Sequence, residues 1–271
     1  MANLNGKTVV VTGGASGIGH AISVAMGRAG ANVVVGDLQS APKPGGYDEH
    51  SDIDVVELLR SEGGKAAFFT ANVTVPAEMH ALADFAVEQF GSLDIWVNNA
   101  GVVAAPKRFF EYDDSELDIC LSVNTKGVWN GMRAAVAKMM AAGTRGNIVN
   151  VLSTAGLRPH VNQAIYDISK AASAQATRCA ALELGPLGIR VNGVCPTVVK
   201  TALSRPFVET PEFQAWFRTI VPLGSAVETR QVADAVLFLA GEAAAAMTGV
   251  LLPVDSGECL GPPAAGELQQ D

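Results

Sequence analysis

The stretch Thr8-Val9-Val10-Val11-Thr12-Gly13-Gly14-Ala15-Ser16-Gly17-Ile18-Gly19 (residues 8–19) decides the fold. It begins with a β-branched run, which is typical of a strand buried on both faces of a sheet. Glycines follow at once, and an amphipathic helix pattern extends from about Ile18 to Arg28. Glycines allow a tight turn and a close approach to a pyrophosphate, and a helix N-terminus attracts anions. The stretch therefore predicts a dinucleotide site, although the spacing G-x-x-x-G-x-G also fits a plain turn.

The next apolar run, Asn32 to Asp37, ends in a carboxylate about 20 residues beyond the glycines. An aspartate there can accept hydrogen bonds from the adenosine ribose and would repel a 2′-phosphate. Positions 14–16 and 38–40 hold no lysine or arginine that could neutralise such a phosphate. The sequence therefore predicts NAD rather than NADP. The alternative is that Asp37 only caps the following segment.

Strand and helix patterns alternate along the rest of the chain without an intervening linker. Further strands are predicted at 66–71, 93–97, 147–152, 190–195 and 250–254. Helices are predicted at 54–62, 76–90, 116–142, 164–184 and 231–239. This order predicts an α/β fold, a doubly wound parallel sheet of about seven strands with helices on both faces. Pro253 in the last strand indicates an edge position.

Three segments fall outside this alternation. Gln39 to Ser51 is rich in proline and glycine and is predicted to be an insertion loop near the adenine end of the cofactor. Residues 202–221 carry several aromatic side chains, and residues 261–271 form a tail with glycine and proline. We therefore predict one domain over residues 1–260, followed by the tail.

Composition excludes several function classes. The chain has 271 residues, 49% hydrophobic and 17% charged, which can fill a sizeable core. Its net charge of −8 argues against a nucleic-acid or anionic-membrane surface. No apolar run reaches the length of a membrane span, and the N-terminus shows no cleavable leader pattern. The four cysteines, Cys120, Cys179, Cys195 and Cys259, lack metal-ligand spacing, which predicts no metal site and a reducing, cytoplasmic location.

A second stretch, Ser153 to Lys170, carries candidate chemistry. Tyr166 and Lys170 are four residues apart, so they share a face if the segment is helical. An ammonium beside a phenol favours the phenolate, and one close cation together with a charged cofactor could lower the pKa from about 10 toward neutrality. That would make Tyr166 a usable acid/base. Ser153 could hydrogen-bond the oxygen on which charge develops. Taken alone, the pair also fits a helix with an amphipathic tyrosine.

Several motifs occur together in a recognisable order. They are Thr12-Gly13-x-x-x-Gly17-Ile18-Gly19, Asn98-Asn99-Ala100-Gly101, Asn124, Ser153, Tyr166 and Lys170. By these motifs, residues 4–257 resemble a single-domain, NAD-dependent member of the short-chain dehydrogenase/reductase family, with its Rossmann fold. Each motif alone is weak, but together they are specific.

The resemblance implies a role for each matching residue. Tyr166 is the expected acid/base, Ser153 polarises the substrate oxygen, and Lys170 binds the nicotinamide ribose and lowers the Tyr166 pKa. Asn124 is expected to hold a water that links Lys170 to solvent. The expected cofactor-binding residues are Gly13, Ser16, Gly17, Ile18, Gly19, Asp37, Leu38, Asn72, Val73, Asn99, Ala100, Gly101, Tyr166, Lys170, Pro196, Val199 and Thr201. The resemblance, with an alanine-rich helix at 164–184, also implies a homotetramer.

The chain departs from the family pattern in three places. It has Asn72-Val73 where the family usually has Asp-Val, and an amide can still accept a hydrogen bond near adenine. Pro196 is followed by Thr197 rather than glycine, and the insertion loop is longer than usual. These features are similar to the carveol-dehydrogenase-like branch, some of whose members keep nicotinamide tightly bound.

The substrate is weakly indicated. The candidate substrate contacts are Ser153, Thr154, His160, Tyr166, Phe207 and Trp216. Aromatic residues in the 202–221 segment, which the family uses as a substrate lid, could cover an apolar substrate, or could simply pack on the sheet or on a partner. With no Arg or Lys pair to bind a charged substrate, we predict a neutral, fairly apolar secondary alcohol or ketone. The alternatives are an NADPH-dependent ketoreductase, an enzyme with tightly bound NAD, an epimerase or dehydratase, and a non-catalytic nucleotide sensor.

Overall fold

Seven strands form one sheet in residues 3–48 and 53–263, which this computed structural model describes. They are β1 (Thr8–Thr12), β2 (Asn32–Asp37), β3 (Lys65–Thr70), β4 (Ile95–Asn98), β5 (Asn147–Val151), β6 (Arg190–Pro196) and β7 (Leu251–Val254). All neighbours are parallel, in the order β3-β2-β1-β4-β5-β6-β7. The chain winds outward in both directions from the β1–β4 pair, which places a topological switch point at their carboxyl ends. The predicted doubly wound sheet is confirmed.

Helices cover both faces of the sheet. They are α1 (Gly17–Arg28), α2 (Val55–Ser61), α3 (Pro76–Phe90), α4 (Asp114–Cys120), α5 (Gly127–Ala142), α6 (Ala164–Leu184), α7 (Arg205–Val208), α8 (Pro211–Ile220) and α9 (Thr229–Ala240). Val9 and Val11 pack with α1, α2 and α9, whereas Val10 packs on the other face with α3 and α5. All three valines are fully buried, because successive side chains of a strand point to opposite faces.

The predicted edge strand and most of the predicted helix and strand boundaries agree with the structure. β7 ends the strand order, and Pro253 therefore occupies the predicted edge strand. Most predicted boundaries differ from the observed ones by one or two residues, which is the usual uncertainty of element ends. Two predicted segments, the end of the insertion loop at 49–51 and most of the tail at 264–271, lie outside the described residues.

The predicted continuous helix at 116–142 is wrong. The chain forms α4, then a π-helical turn at Leu121–Lys126, then α5. Asn124 lies in the wide turn, where its side chain binds both the N–H and the carbonyl of Val102 at 2.9 Å. Its own carbonyl accepts a hydrogen bond from the Ser173 hydroxyl at 2.7 Å. A π turn alters the helix hydrogen-bond ladder locally, and these bonds from outside the helix offset the distortion.

Asp94 connects the amino ends of β1 and β4 and lies just before β4. Its carboxylate accepts hydrogen bonds from the Thr8 N–H at 3.0 Å, from the Ser92 hydroxyl at 2.7 Å and from the Lys7 ammonium at 3.0 Å. Burial alone would raise the Asp94 pKa, but these three hydrogen bonds outweigh it and the pKa is lowered. The ionised carboxylate therefore stabilises the start of β1 against β4.

We expect Asp94→Asn to lower the free energy of unfolding at pH 7 by about 1–2 kcal/mol, since charged hydrogen bonds become neutral ones. A lowered folded-state pKa contributes stability above the unfolded value of about 4, and this is lost as the pH falls through the folded pKa. The variant should therefore show a shallower acid dependence of stability in urea titrations. Asp118→Asn, at an exposed position on α4, is the control. Equal acid slopes in the variant and wild type would contradict the assignment.

Candidate active site

The carboxyl ends of β1, β4 and β5 bring most of the predicted site residues to one edge of the sheet. A Cβ atom placed on Gly13 would lie 2.8 Å from the Cα atom of Ala100. A Cβ atom on Gly101 would lie 3.2 Å from Asn124 Oδ1 and 3.5 Å from Lys170 Nζ. The glycine turn, the segment after β4 and the Tyr166–Lys170 helix therefore border one site.

Hydrogen bonds lock the glycine turn to the end of β4. The Asn99 side-chain amide donates to the carbonyls of Thr12 at 3.0 Å and Gly13 at 2.9 Å, and the Thr12 hydroxyl accepts from the Asn99 N–H at 3.0 Å. Gly13 and Gly17 have φ of +63° and +58°, which disfavours any residue with a side chain. A Cβ atom on Gly19 would overlap the Gly13 carbonyl oxygen. Thr12 was recognised in the sequence only as part of a motif, but it holds this turn in place.

A carboxylate from the insertion loop lies on the first N–H of α1. Both carboxylate oxygens of Asp48 are 3.0 Å from the Gly17 nitrogen. Beside it, the Ser16 hydroxyl accepts a hydrogen bond from the Lys43 N–H at 3.3 Å. The helix N-terminus thus receives an anionic oxygen, as a pyrophosphate site would. Sequence analysis placed this loop near the adenine end and missed Asp48, whose only signal was its acidic side chain after a Gly-Gly pair.

Asp37 lies at the end of β2, next to the glycine turn. Its two carboxylate oxygens accept hydrogen bonds from the Ala15 N–H at 3.1 Å and from the Leu38 N–H at 2.8 Å. A carboxylate can accept about four hydrogen bonds, so these two leave room for a ribose. The Leu38 side chain beside it is exposed. The remaining acceptor capacity of Asp37 fits the hydroxyl donors of an adenosine ribose.

The remaining predicted cofactor residues border the same edge. Asn72 Oδ1 accepts from the Thr74 N–H at 3.0 Å and hydroxyl at 2.8 Å, so this amide oxygen already has two partners. Val73 is buried. Thr201 lies near the glycine turn, because a Cβ atom on Gly17 would be 3.3 Å from its methyl carbon. Of the other predicted cofactor contacts, Ile18 is partly buried in α1 and Pro196 ends β6. Val199 pairs with Val227 in a parallel bridge.

Ser153, Tyr166 and Lys170 form one group at the start of α6. Ser153 makes a side-chain hydrogen bond with Tyr166, and its hydroxyl also accepts from the Ala155 N–H at 3.1 Å. Lys170 is buried, and its ammonium donates to the Val151 carbonyl at 3.2 Å. The Lys170 nitrogen is 5.8 Å from the centre of the Tyr166 ring. Next to Lys170, the Asn124 amide donates to the Ser169 hydroxyl at 2.9 Å.

In this structure, loss of hydration rather than Lys170 determines the direction of the Tyr166 pKa shift. Desolvation raises the pKa of Tyr166 to about 12, although the Ser153 hydrogen bond acts in the opposite direction. Desolvation also lowers the pKa of Lys170 to about 8. Loss of hydration sets the direction of both pKa shifts, because neither side chain is paired with an opposite charge in the described structure. A further positive charge is required to bring the tyrosine pKa toward neutrality.

Two predicted substrate contacts have other partners. Thr154 is buried and its side chain lies close to Glu258. The His160 ring lies between the carboxylates of Glu258 and Asp167. Both predicted substrate contacts therefore also have partners within the protein. Sequence analysis missed Glu258, since no motif contains it.

The aromatic residues of the 202–221 segment pack on one another. The Phe213 ring centre lies 5.3 Å from that of Phe207, 5.5 Å from Trp216 and 5.1 Å from Phe217. Phe217 is buried, whereas Phe207 and Trp216 are 43% and 53% exposed. Two aromatic faces therefore remain available at the surface of α7 and α8.

The insertion loop contacts the same segment. The Tyr47 hydroxyl donates to Glu209 Oε1 at 2.6 Å, and Arg205 donates to the Gly45 carbonyl at 2.9 Å. The Arg205 guanidinium also lies 4.8 Å from the centre of the Tyr47 ring. The loop therefore bridges the glycine turn and α7.

Residues 3–48 and 53–263, which the structure describes, hold neither a metal cluster nor a membrane-spanning helix. In these ranges, His, Cys, Asp and Glu side chains form no group of three or more that could hold a metal ion. None of the helices in the same ranges has both the length and the apolar character that a membrane crossing requires.

Comparison with known proteins agrees with this geometry. A family model described as enoyl-(acyl carrier protein) reductase matches residues 13–258. The chain is 37% identical over 258 residues to 4-formylbenzenesulfonate dehydrogenase of Comamonas testosteroni, covering 94% of this chain and 98% of the relative. It is 35% identical over 261 residues to 3β-hydroxysteroid dehydrogenase 1 of Eggerthella lenta, covering 96% of each.

A solved structure of 7α-hydroxysteroid dehydrogenase, complexed with NADH and 7-oxo glycochenodeoxycholic acid, has the same fold. It aligns with a TM-score of 0.84 and 31% identity, over 94% of this chain and 95% of that chain. Because near full-length matches in sequence and in structure accompany the glycine turn and the Ser153–Tyr166–Lys170 group, this chain belongs to the short-chain dehydrogenase/reductase family of oxidoreductases.

Proposed function

We propose that this protein is an NAD-dependent dehydrogenase that transfers a hydride between NAD(H) and a secondary alcohol or ketone. The observation that carries the proposal is the Ser153–Tyr166 hydrogen bond beside buried Lys170, on the sheet edge that holds the glycine turn. These are the groups needed to move a proton at the substrate oxygen while hydride leaves the neighbouring carbon.

In the oxidative direction, the Tyr166 oxygen accepts the hydroxyl proton of the alcohol. The Ser153 hydroxyl donates to the same substrate oxygen and stabilises the charge that develops there. Lys170 holds a positive charge next to Tyr166, and Asn124 orders the segment around Lys170 and is proposed to hold a water there. Oxidised nicotinamide, if held at this edge of the sheet, would take the hydride and would supply an additional positive charge that favours the phenolate.

The dinucleotide would be held by the residues at the carboxyl ends of β1 and β2. The glycine turn and the Gly17 N–H suit the pyrophosphate, and Asp37 suits the adenosine ribose. Asp37 supports NAD over NADP. One observation favours NADP as second candidate, since the Lys43 main chain lies beside Ser16 and brings a cationic residue to this end of the site.

The substrate class rests on the aromatic surface of α7 and α8. Half-exposed Phe207 and Trp216 would cover a neutral, fairly apolar alcohol, and residues 202–221 would act as its lid. The name of one relative, a 3β-hydroxysteroid dehydrogenase, supports a bulky apolar substrate, whereas that of another, a 4-formylbenzenesulfonate dehydrogenase, names a charged aromatic aldehyde. A panel of terpenoid, alicyclic, aromatic and steroid alcohols tests this; activity confined to small or charged substrates would contradict it.

The contact between the insertion loop and α7 supports a second candidate, in which NAD stays bound between turnovers. Nicotinamide in the extract of the denatured protein, reducible in place by an alcohol, would favour it. A nucleotide-sensing protein remains the alternative if the nucleotide binds but no alcohol is oxidised. Net NADH accumulation distinguishes a dehydrogenase from an epimerase or dehydratase, since those return the hydride.

We further propose a homotetramer and a cytoplasmic location. Trp129 on α5 and Leu182 on α6 are exposed apolar residues, which supports association through these helices. The cysteines, all free thiols, are consistent with a reducing compartment. Sedimentation analysis of the purified protein measures the assembly.

We expect Tyr166→Phe to lower the rate of NADH formation by about 10²–10⁴-fold, since it removes the proton acceptor. The NADH dissociation constant and the thermal midpoint should stay near wild type. The measurement is the initial rate of NADH absorbance with the alcohol panel. A variant that retains wild-type turnover would exclude Tyr166 as the acid/base.

We expect Asp37→Ala to lower kcat/KM for NAD by about tenfold, because a charged hydrogen bond to the ribose is lost. The kcat/KM for NADP should rise at the same time. Lys43→Ala is the matched control and should leave the NAD value unchanged. If NADP is the physiological cofactor, the pattern reverses: Lys43→Ala weakens NADP use and Asp37→Ala changes little.

We expect Asp48→Asn to tighten NADH binding about fivefold, because its carboxylate competes with a pyrophosphate for the Gly17 N–H. Fluorescence titration of NADH measures the dissociation constant. Asp114→Asn, which removes the same charge from an exposed position on α4, is the control. Weaker binding in Asp48→Asn would instead show that this carboxylate supports the bound state.

A further inference from the structure

Three ionisable side chains cluster behind the proposed active site. His160 Nε2 is 2.9 Å from Glu258 Oε1, and His160 Nδ1 is 3.5 Å from Asp167 Oδ1. The His160 main-chain N–H donates to Asp167 Oδ2 at 2.6 Å. Glu258 and Asp167 are only 5% and 7% exposed. The proposed reaction does not use this cluster, so its buried charges need another explanation.

Glu258 connects the loops that carry the proposed reacting groups. It lies in a short turn after β7, its Oε1 atom pairs with His160 Nε2, and the Thr154 and Thr197 side chains lie close to its carboxylate. Among the described residues, its Oε2 atom is buried without a hydrogen-bond partner. Its main-chain carbonyl accepts a hydrogen bond from Arg158 at 2.7 Å. One buried side chain thus contacts the loop after β5, the loop before α6 and the loop after β6.

Three residues of this network are each next to a proposed functional residue. Thr154 follows Ser153, and Asp167, which His160 binds, follows Tyr166. Thr197 follows Pro196, the end of β6 on the proposed cofactor side. Ser153 and Tyr166 must both reach the same substrate oxygen, and an error of about 1 Å in such a geometry can cost about 10²-fold in rate.

The cluster is costly to bury, which makes a purely stabilising role a weak explanation. Two buried carboxylates and one imidazole lose much of their hydration, and such groups add little net stability compared with apolar packing. Desolvation alone would raise the Glu258 pKa, but interactions with the His160, Thr197 and Thr154 side chains outweigh it and lower the pKa. The Glu258 hydrogen bond raises the His160 pKa. The geometry and the charges therefore favour an ionised Glu258 that is paired with His160.

We propose that Glu258 is a positioning residue, which sets the relative positions of Ser153 and Tyr166 through Thr154, His160 and Asp167. It does not touch substrate or cofactor. The expected effect on catalysis rests on the proposed function. The effect of Glu258 on the positions of the Ser153 and Tyr166 segments does not depend on that function.

The test compares Glu258→Ala and Glu258→Gln with Glu242→Ala. Glu242 is the matched control, because it is exposed and also begins a short 3₁₀ turn. We expect Glu258→Ala to lower kcat for the best alcohol by about 10- to 100-fold, with KM and the NADH dissociation constant within about threefold of wild type. Glu258→Gln keeps the side-chain volume and one acceptor oxygen but loses the charge, so it should fold and show a smaller loss.

Hydrogen exchange provides a readout that does not need turnover. Peptides spanning 153–167 and 196–199 should exchange faster in both Glu258 variants, whereas peptides from β1 to β3 and the Glu242→Ala protein should match wild type. Unchanged exchange at 153–167, or a rise in KM with kcat unchanged, would overturn the inference. A wild-type protein without turnover on either cofactor would instead overturn the proposed function, and the exchange result would still decide the role of Glu258.

Discussion

The hydrogen bonds between the ends of β1 and β4 are the contact on which the rest of the site depends. These strands are neighbours in the sheet, but the chain leaves them toward opposite sides, so a crevice opens between their carboxyl ends. Thr12 and Asn99 close the base of this crevice by binding each other and the Gly13 carbonyl. Because backbone groups rather than long side chains meet there, the glycine turn can lie directly on the segment after β4, and a ligand can approach the main chain.

The fold could be predicted from the sequence because most of the signals that determine it are local. The β-branched runs, the glycine spacing and the helix patterns are local signals, and each agreed with a doubly wound sheet. Val9 and Val10 illustrate this, since their burial on opposite faces follows from the period of a strand. The order of the strands was predictable because parallel strands need crossover helices on the faces.

The features that were missed depend on contacts between residues far apart in the chain. Asp48 reaches Gly17 across an insertion loop, and Glu258 reaches His160 over 98 positions. The π turn around Asn124 depends on Val102 and Ser173 from two other segments. None of these contacts leaves a periodic pattern. Helical spacing likewise shows that Lys170 is near Tyr166, but it does not show how much water both groups lose.

Burial of Lys170 and Tyr166 also indicates how the site could respond to its ligand. A buried lysine with a pKa near 8 and a tyrosine with a pKa near 12 leave the phenol protonated at neutral pH, so the protein alone is a poor base. An additional cation in the crevice would act in a region of low dielectric, where its effect on the phenol is large. Desolvation thus makes the acid/base strength of Tyr166 sensitive to what is bound beside it, and binding and proton transfer become linked through one electrostatic effect.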